Sequence, residues 1–167
     1  MNIQKEILVN KPANEVWEVL GTQFQDAYKW ARGLDHSQGH GEPVFDGASC
    51  SNRTCEVPGF GKIQEVIKKF DPEKHILTYE VTHGFPGFIT SAVNTWRLTA
   101  QGFNTKVEMN MEMQTKGIKG AIMGPMMKMN LTKMISGVLS DLKTYVEKGE
   151  PSEYKVKELA KAAKKAA

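Results

Sequence analysis

Five or six segments of alternating apolar and polar residues precede one long stretch of helical repeat. That stretch, residues 125–147 (PMMKMNLTKMISGVLSDLKTYVE), places Met127, Leu131, Met134, Ile135, Val138, Leu139, Leu142, Tyr145 and Val146 on one broad face at about 100° per residue. Thr132, Ser136, Ser140, Lys143 and Glu147 lie opposite. At 1.5 Å per residue it is roughly 35 Å long, so a wide sheet or several helices must cover its apolar side. Pro125 suits a first helical turn, residues 120–124 ahead of it read as a loop, a kinked extension or a hinge, and Gly149 and Pro151 end the helix.

The alternating segments come first in the chain. Residues 3–9 read as a strand. Pro12 then opens a short helix that buries Val16, Trp17, Val19 and Leu20, and a second short helix covers residues 23–31. Residues 33–47, GLDHSQGHGEPVFDG, read as a loop with a short strand around Val44. Strands follow at 48–57, 62–70, 75–82, 91–99 and 106–114, separated by the turn-forming PGFG, DPE, HGFPGF and QGF stretches. In the last of these, Val107, Met109, Met111 and Met113 alternate with Lys106, Glu108, Asn110, Glu112 and Gln114, as expected where one sheet face is covered and the other wet. The economical arrangement is α+β: a helix lying across a curved antiparallel sheet.

Composition narrows the function classes. With 167 residues the chain is long enough for one domain with a real core and an internal cavity. We divide it into residues 1–149, which carry the fold, and a Lys/Ala-rich tail, 150–167, that forms a thin-striped, frayed and solvated helix. Lysine and arginine number 22 against 19 acids, and five lysines and three glutamates of that total lie in the tail, so the folded part is near neutral and offers no basic face for nucleic acid. Cys50 and Cys55 are the only cysteines and point to opposite strand faces, which argues against a disulfide framework. No apolar run has signal-peptide or membrane-spanning length, the expectation being a cytoplasmic monomer or weak homodimer. His36, His40, Asp35 and Asp46 sit in a glycine-rich loop that does not define a metal geometry, and no motif marks a nucleotide; neither metal nor cofactor is expected.

Candidate chemistry lies in polar residues predicted to face inward. Pairing Val57 with Ile63 sets Cys55 opposite Glu65 and Arg53 opposite Ile67, all on one face, whereas a slip of one residue would turn them out. Arg53 could anchor a carboxylate or polarise a carbonyl, with Glu65 and Asn94 orienting a ligand or moving a proton; equally, Arg53 and Glu65 could form a pair that only satisfies itself. Cys55 beside Glu65 is a nucleophile only if a histidine joins it, which the spacing does not provide. Trp30, Tyr79 and Trp96 are either cavity lining or plain core. Methionine, flexible and polarisable, is concentrated at Met109, Met111, Met113, Met127 and Met134, which suits either an ordinary core or a malleable apolar pocket. Met126 and Met129 fall off the main helical face, at a rim or in solvent.

The element order, with KPANEVWEVL at 11–20, YKWARGL at 28–34, RTCEVPGFGKIQEVIKKFDPEKHILTYEV at 53–81 and NTWRLTAQGFNTKVEMNMEM at 94–113, resembles the START/Bet v 1-like helix-grip superfamily, and within it the bacterial polyketide cyclase/dehydrase and lipid transport group. The resemblance covers roughly the first 148 residues. It implies a seven-stranded antiparallel sheet wrapped around the long helix and an apolar pocket between them. From it follows the expectation of a binder or carrier of a hydrophobic or aromatic small molecule (a lipid, polyketide or isoprenoid-like compound), entered near the loops at 33–47 and 83–88. Its wall would include Trp30, Arg53, Cys55, Glu65, Tyr79, Asn94, Trp96, the three β-strand methionines, Met127, Leu131, Met134 and Val138. Two alternatives remain: a cyclase or dehydratase with Glu65 as acid or base and Arg53 as stabiliser of an enolate, and a protein that uses the fold to bind a macromolecule.

Overall fold

The computed structural model describes residues 1–166, with side chains to residue 164. Strand β1 (Asn2–Val9) leads into α1 (Ala13–Trp17), a wider turn at Glu18–Thr22 and a 3-10 turn at Phe24–Lys29. Strands β2 (His36–His40), β3 (Asn52–Val57), β4 (Gly61–Asp71), β5 (Ile76–His83), β6 (Ile89–Gln101) and β7 (Asn104–Thr115) precede helices α2 (Gly117–Lys148) and α3 (Glu153–Ala166). The seven strands form one open antiparallel sheet in the order β1-β7-β6-β5-β4-β3-β2. The helix-grip architecture is therefore present, with α2 lying in the concave side of the sheet.

In β7 the alternation is realised: Val107, Met109, Met111 and Met113 are buried, while their neighbours face outward or lie partly covered. Trp17 holds α1 to the sheet through Phe70, at 5.0 Å between ring centroids. Irregularities in the β4–β5 ladder at Gln64/Glu65 and Ile67/Lys69 bend the sheet beside Glu65.

Three local expectations are corrected. The β3–β4 hairpin is tighter than the pattern suggested: Val57 pairs with Gly61, Cys55 with Ile63 and Arg53 directly with Glu65. Gly59, at φ 82°, takes the left-handed third position of a turn closed by the Phe60 N–H donating to the Val57 carbonyl. The shift is by two residues, so the same side chains still face inward. Second, the short strand falls at His36–His40, while Val44 is exposed in the following loop. No apolar residue in HSQGH announces it; backbone pairing with β3 holds it, and buried Ser37 ties it to the 3-10 turn by donating to the Gln25 carbonyl at 2.6 Å and accepting from the Tyr28 N–H. Third, Pro125 is not in the first turn: of the loop, extension or hinge left open for residues 120–124, the structure has a helical extension, and α2 begins at Gly117 and runs through Pro125. Pro125 and Ala121, whose carbonyl loses its helical partner, both lie on the exposed side, where water can satisfy it.

The two halves of α2 are held differently. Ile135, Leu139 and Leu142 are buried in the C-terminal half, Lys143 Nζ donates to the Leu8 carbonyl at 2.6 Å, and the Asn10 N–H donates to Glu147 Oε1 at 2.6 Å. Asp141, fully buried, accepts both Arg32 Nε (2.7 Å) and Nη2 (2.8 Å), the Arg32 backbone N–H and the Ser152 hydroxyl. Gly137 leaves the groove in which Arg32 lies, since a Cβ there would stand 2.4 Å from Nη1. The start of α3 joins this cluster, unlike the solvated tail expected from its composition. Lys155 is buried with Nζ donating to the Leu34 carbonyl, Glu158 accepts the Gly33 N–H at 3.0 Å, and the Tyr154 ring lies 4.3 Å under the Arg32 guanidinium. Replacing Asp141 by alanine strips Arg32 of its counter-ion and leaves the Ser152 hydroxyl without its acceptor. The expected loss is about 3 kcal/mol, read as a lower urea midpoint at unchanged m-value.

Candidate functional site: an apolar cavity under the long helix

Between the bent sheet and the middle of α2, residues 127–138, lies a cavity of about 340 Å³. Its floor comes from the inward positions of β3 to β7, which the period of two assembles: Arg53, Ile63, Glu65, Leu77, Tyr79, Asn94, Trp96, Met109, Met111 and Met113. Its roof is Met127, Leu131, Met134, Ile135 and Val138, at the three- and four-residue spacing of one helical face. Phe24, Ala27 and Trp30 from the 3-10 turn close one end. The exposed wall residues Phe60, Asn130 and Met134 mark the mouth, and Phe60 stands edge-on to Phe85 with centroids 6.1 Å apart. Of the two loops expected as gates, 83–88 contributes Phe85, whereas 33–47 contributes only Gly33 and Leu34 because most of its first half is strand β2.

One ion pair occupies the floor. Arg53 Nε donates to Glu65 Oε2 at 2.7 Å, Nη2 contacts the same oxygen, and Nη1 donates to the Phe24 carbonyl. The guanidinium stacks 3.9 Å above the Phe24 ring, with Tyr79 at 5.3 Å. Burial by itself would lower the Arg53 pKa; the adjoining Glu65 carboxylate outweighs that and raises it, so the cation persists. All three guanidinium nitrogens are thus engaged, and although Nη1 and Nη2 each keep a second N–H, the positive charge is already balanced by Glu65. Glu65 Oε1 has no hydrogen-bond partner among the described residues.

Cys55 does not reach the cavity wall. It is fully buried, with Sγ 3.3 Å from Glu65 Oε2, and burial, opposed by the Arg53 charge and helped by that of Glu65, pushes its thiol up to about 12. A thiol so held is no thiolate at neutral pH. Burial, and after it the Glu65 charge, raises the Tyr79 phenol above its ordinary value; its oxygen accepts the Trp96 indole N–H at 3.4 Å.

Two buried polar atoms at the wall have no partner among the described residues: Asn94 Oδ1 and Trp30 Nε1. Such atoms are costly unless something enters to pair with them. The remaining residues anticipated for the wall, from the strand methionines to Met127, Leu131, Met134 and Val138, do line it; Met126 and Met129 are exposed outside it. Phe24 was not anticipated. Its helical spacing marks it as core, but nothing in the sequence says that its carbonyl and ring would hold Arg53.

Known structures share this architecture. The Zhui aromatase/cyclase from Streptomyces sp. R1128 superposes with a TM-score of 0.73 at 14% identity, over 88% of this chain and 93% of that one. A START superfamily protein from Mycobacterium smegmatis gives 0.72 at 14% identity, over 87% and 97%. Ara h 8.0201 gives 0.67 at 14% identity, over 87% and 97%. At such identities the likeness is one of fold. No curated protein matches the sequence. The sequence does match the family described as polyketide cyclase / dehydrase and lipid transport over residues 1–147, and the chain belongs to that family.

Proposed function

We propose that this protein binds and carries an uncharged, largely apolar small molecule in the cavity between the sheet and α2. One observation carries the reading: the wall is mostly apolar, each of its cations is already paired with a carboxylate, and its fully buried unpartnered atoms, Asn94 Oδ1 and Trp30 Nε1, are neutral. Arg53 is spent on Glu65 and Phe24, and Arg32 near the mouth is gripped by Asp141. Asn94 Oδ1 seeks a donor and Trp30 Nε1 an acceptor. A hydroxyl or carbonyl on an aliphatic or ring framework meets those needs, whereas a carboxylate would be buried beside Glu65 with no uncommitted cation. At interior packing density the cavity takes about 250 Å³ of ligand, and the methionines of β7 and α2 can adjust to its shape.

Turnover has less support. General acid or base catalysis wants a group whose proton moves near neutral pH. Cys55 and Tyr79 are both held protonated, and Glu65 Oε2 already receives Arg53 and Cys55.

Two measurements test the reading. Met111→Trp fills the cavity from its floor without adding a charge, and is expected to weaken an apolar fluorescent probe about tenfold or more while the urea midpoint moves little; unchanged affinity in the folded variant counts against the cavity as the binding site. At neutral pH a long-chain alcohol should displace that probe at least about tenfold better than the fatty acid of equal length, and Asn94→Leu should erase most of the advantage. An acid that competes as well as the alcohol would overturn the exclusion of anions.

A further inference from the structure

Between residues 118 and 138, α2 is apolar on two opposite sides. Met127, Leu131, Met134 and Val138 face the cavity. On the other side Ile118, Ile122, Met126 and Met129 fall within an arc of roughly 80° at helical spacing, and they are 78%, 73%, 53% and 54% exposed. A core helix needs one apolar side, and the second has no partner among the described residues.

Its surroundings say what could cover it. From residue 113 to residue 140 there is no aspartate or glutamate, while Lys116, Lys119, Lys128 and Lys133 are all exposed and none makes an ion pair among the described residues. On the helical projection Lys119 and Lys128 flank the apolar stripe on either edge, and Lys133 continues it at its C-terminal end. A second copy of the chain fits poorly, because a two-fold contact would bring the same unpaired lysines together. An apolar stripe on a convex helix, bordered on both edges by lysine, matches a bilayer whose headgroups are anionic: the stripe enters the acyl boundary and the lysines stay at the phosphates.

We infer that the outer face of residues 117–133 docks the protein on anionic lipid membranes. The inference stands on the outer face alone and does not depend on which ligand the cavity takes.

The test is sedimentation of the full chain with vesicles of phosphatidylcholine alone and with vesicles in which about a third of the lipid is phosphatidylserine. Binding is expected to the phosphatidylserine vesicles only, and to fall steeply as salt is raised. Lys128→Glu with Lys133→Glu should reduce it about tenfold or more, and so should Ile122→Ser with Met126→Ser. All four positions are exposed and lie outside the cavity wall, so probe binding in vesicle-free solution should stay unchanged in both variants. That readout separates failure of docking from failure of the cavity. No preference for the anionic vesicles overturns the inference. Loss on charge reversal without loss on the serine substitutions overturns insertion of the stripe. A concentration-dependent dimer dissolved by Ile122→Ser would assign the face to a second copy instead.

Discussion

A single long helix has to serve as both anchor and roof, and the structure meets that demand by holding its two halves differently. From Ile135 onward α2 is sunk into the core and tied to β1 by Lys143 and Glu147, while fully buried Asp141 locks it to Arg32 and, through Ser152, to α3. A buried carboxylate is tolerable only when fully partnered, and Asp141 accepts from Arg32 and Ser152 on both of its oxygens. With that end fixed, the middle of the helix, residues 127–138, stands over the sheet instead of collapsing onto it. The space beneath is the cavity.

The walls of that space are malleable where they can be and rigid where they must be. Methionines at positions 109, 111, 113, 127 and 134 provide adjustable apolar surface. The Arg53–Glu65 pair is fixed by direct cross-strand pairing, by the Phe24 carbonyl and by stacking on the Phe24 ring. It joins β3, β4 and the 3-10 turn at the point where the sheet is bent, so its first role is to hold the curved floor together. Because the pair balances its own charge, the polar atoms left open to a ligand are neutral ones at Asn94 and Trp30 and the acceptor Oε1 of Glu65. That is why binding of an apolar, uncharged molecule agrees better with this wall than anchoring of an anion.

The second apolar side of α2 follows from the same division. A helix half that is not sunk into the core can carry apolar residues outward without harming the fold, and flanking lysines keep such a face from pairing with itself. Pro125 lies in this half, on its exposed side. There water can replace the backbone partner that a proline removes.

Periodicity by itself determined the order of elements, the inward faces of β3 to β7, the cavity-facing side of α2 and, by parity, that Arg53 and Glu65 share a face. These follow from spacings of two and of three to four residues, which any packed sheet or helix must respect. Only the tertiary structure decided the rest. The hairpin register moved by two because turn geometry, not apolar pattern, sets it; β2 exists because β3 offers an open edge to a segment with no apolar signal; and α2 gained its first turns across a proline because their exposed side can be hydrated. Cys55 is not in the wall but fully buried, with its thiol on Glu65 Oε2. Lys155 and Asp141 look like solvated positions in sequence, and their burial depends on partners more than a hundred residues away at Arg32 and Leu34. Local pattern reports which side of an element is apolar, whereas the pairing of a buried charge is a long-range fact that the folded chain alone supplies.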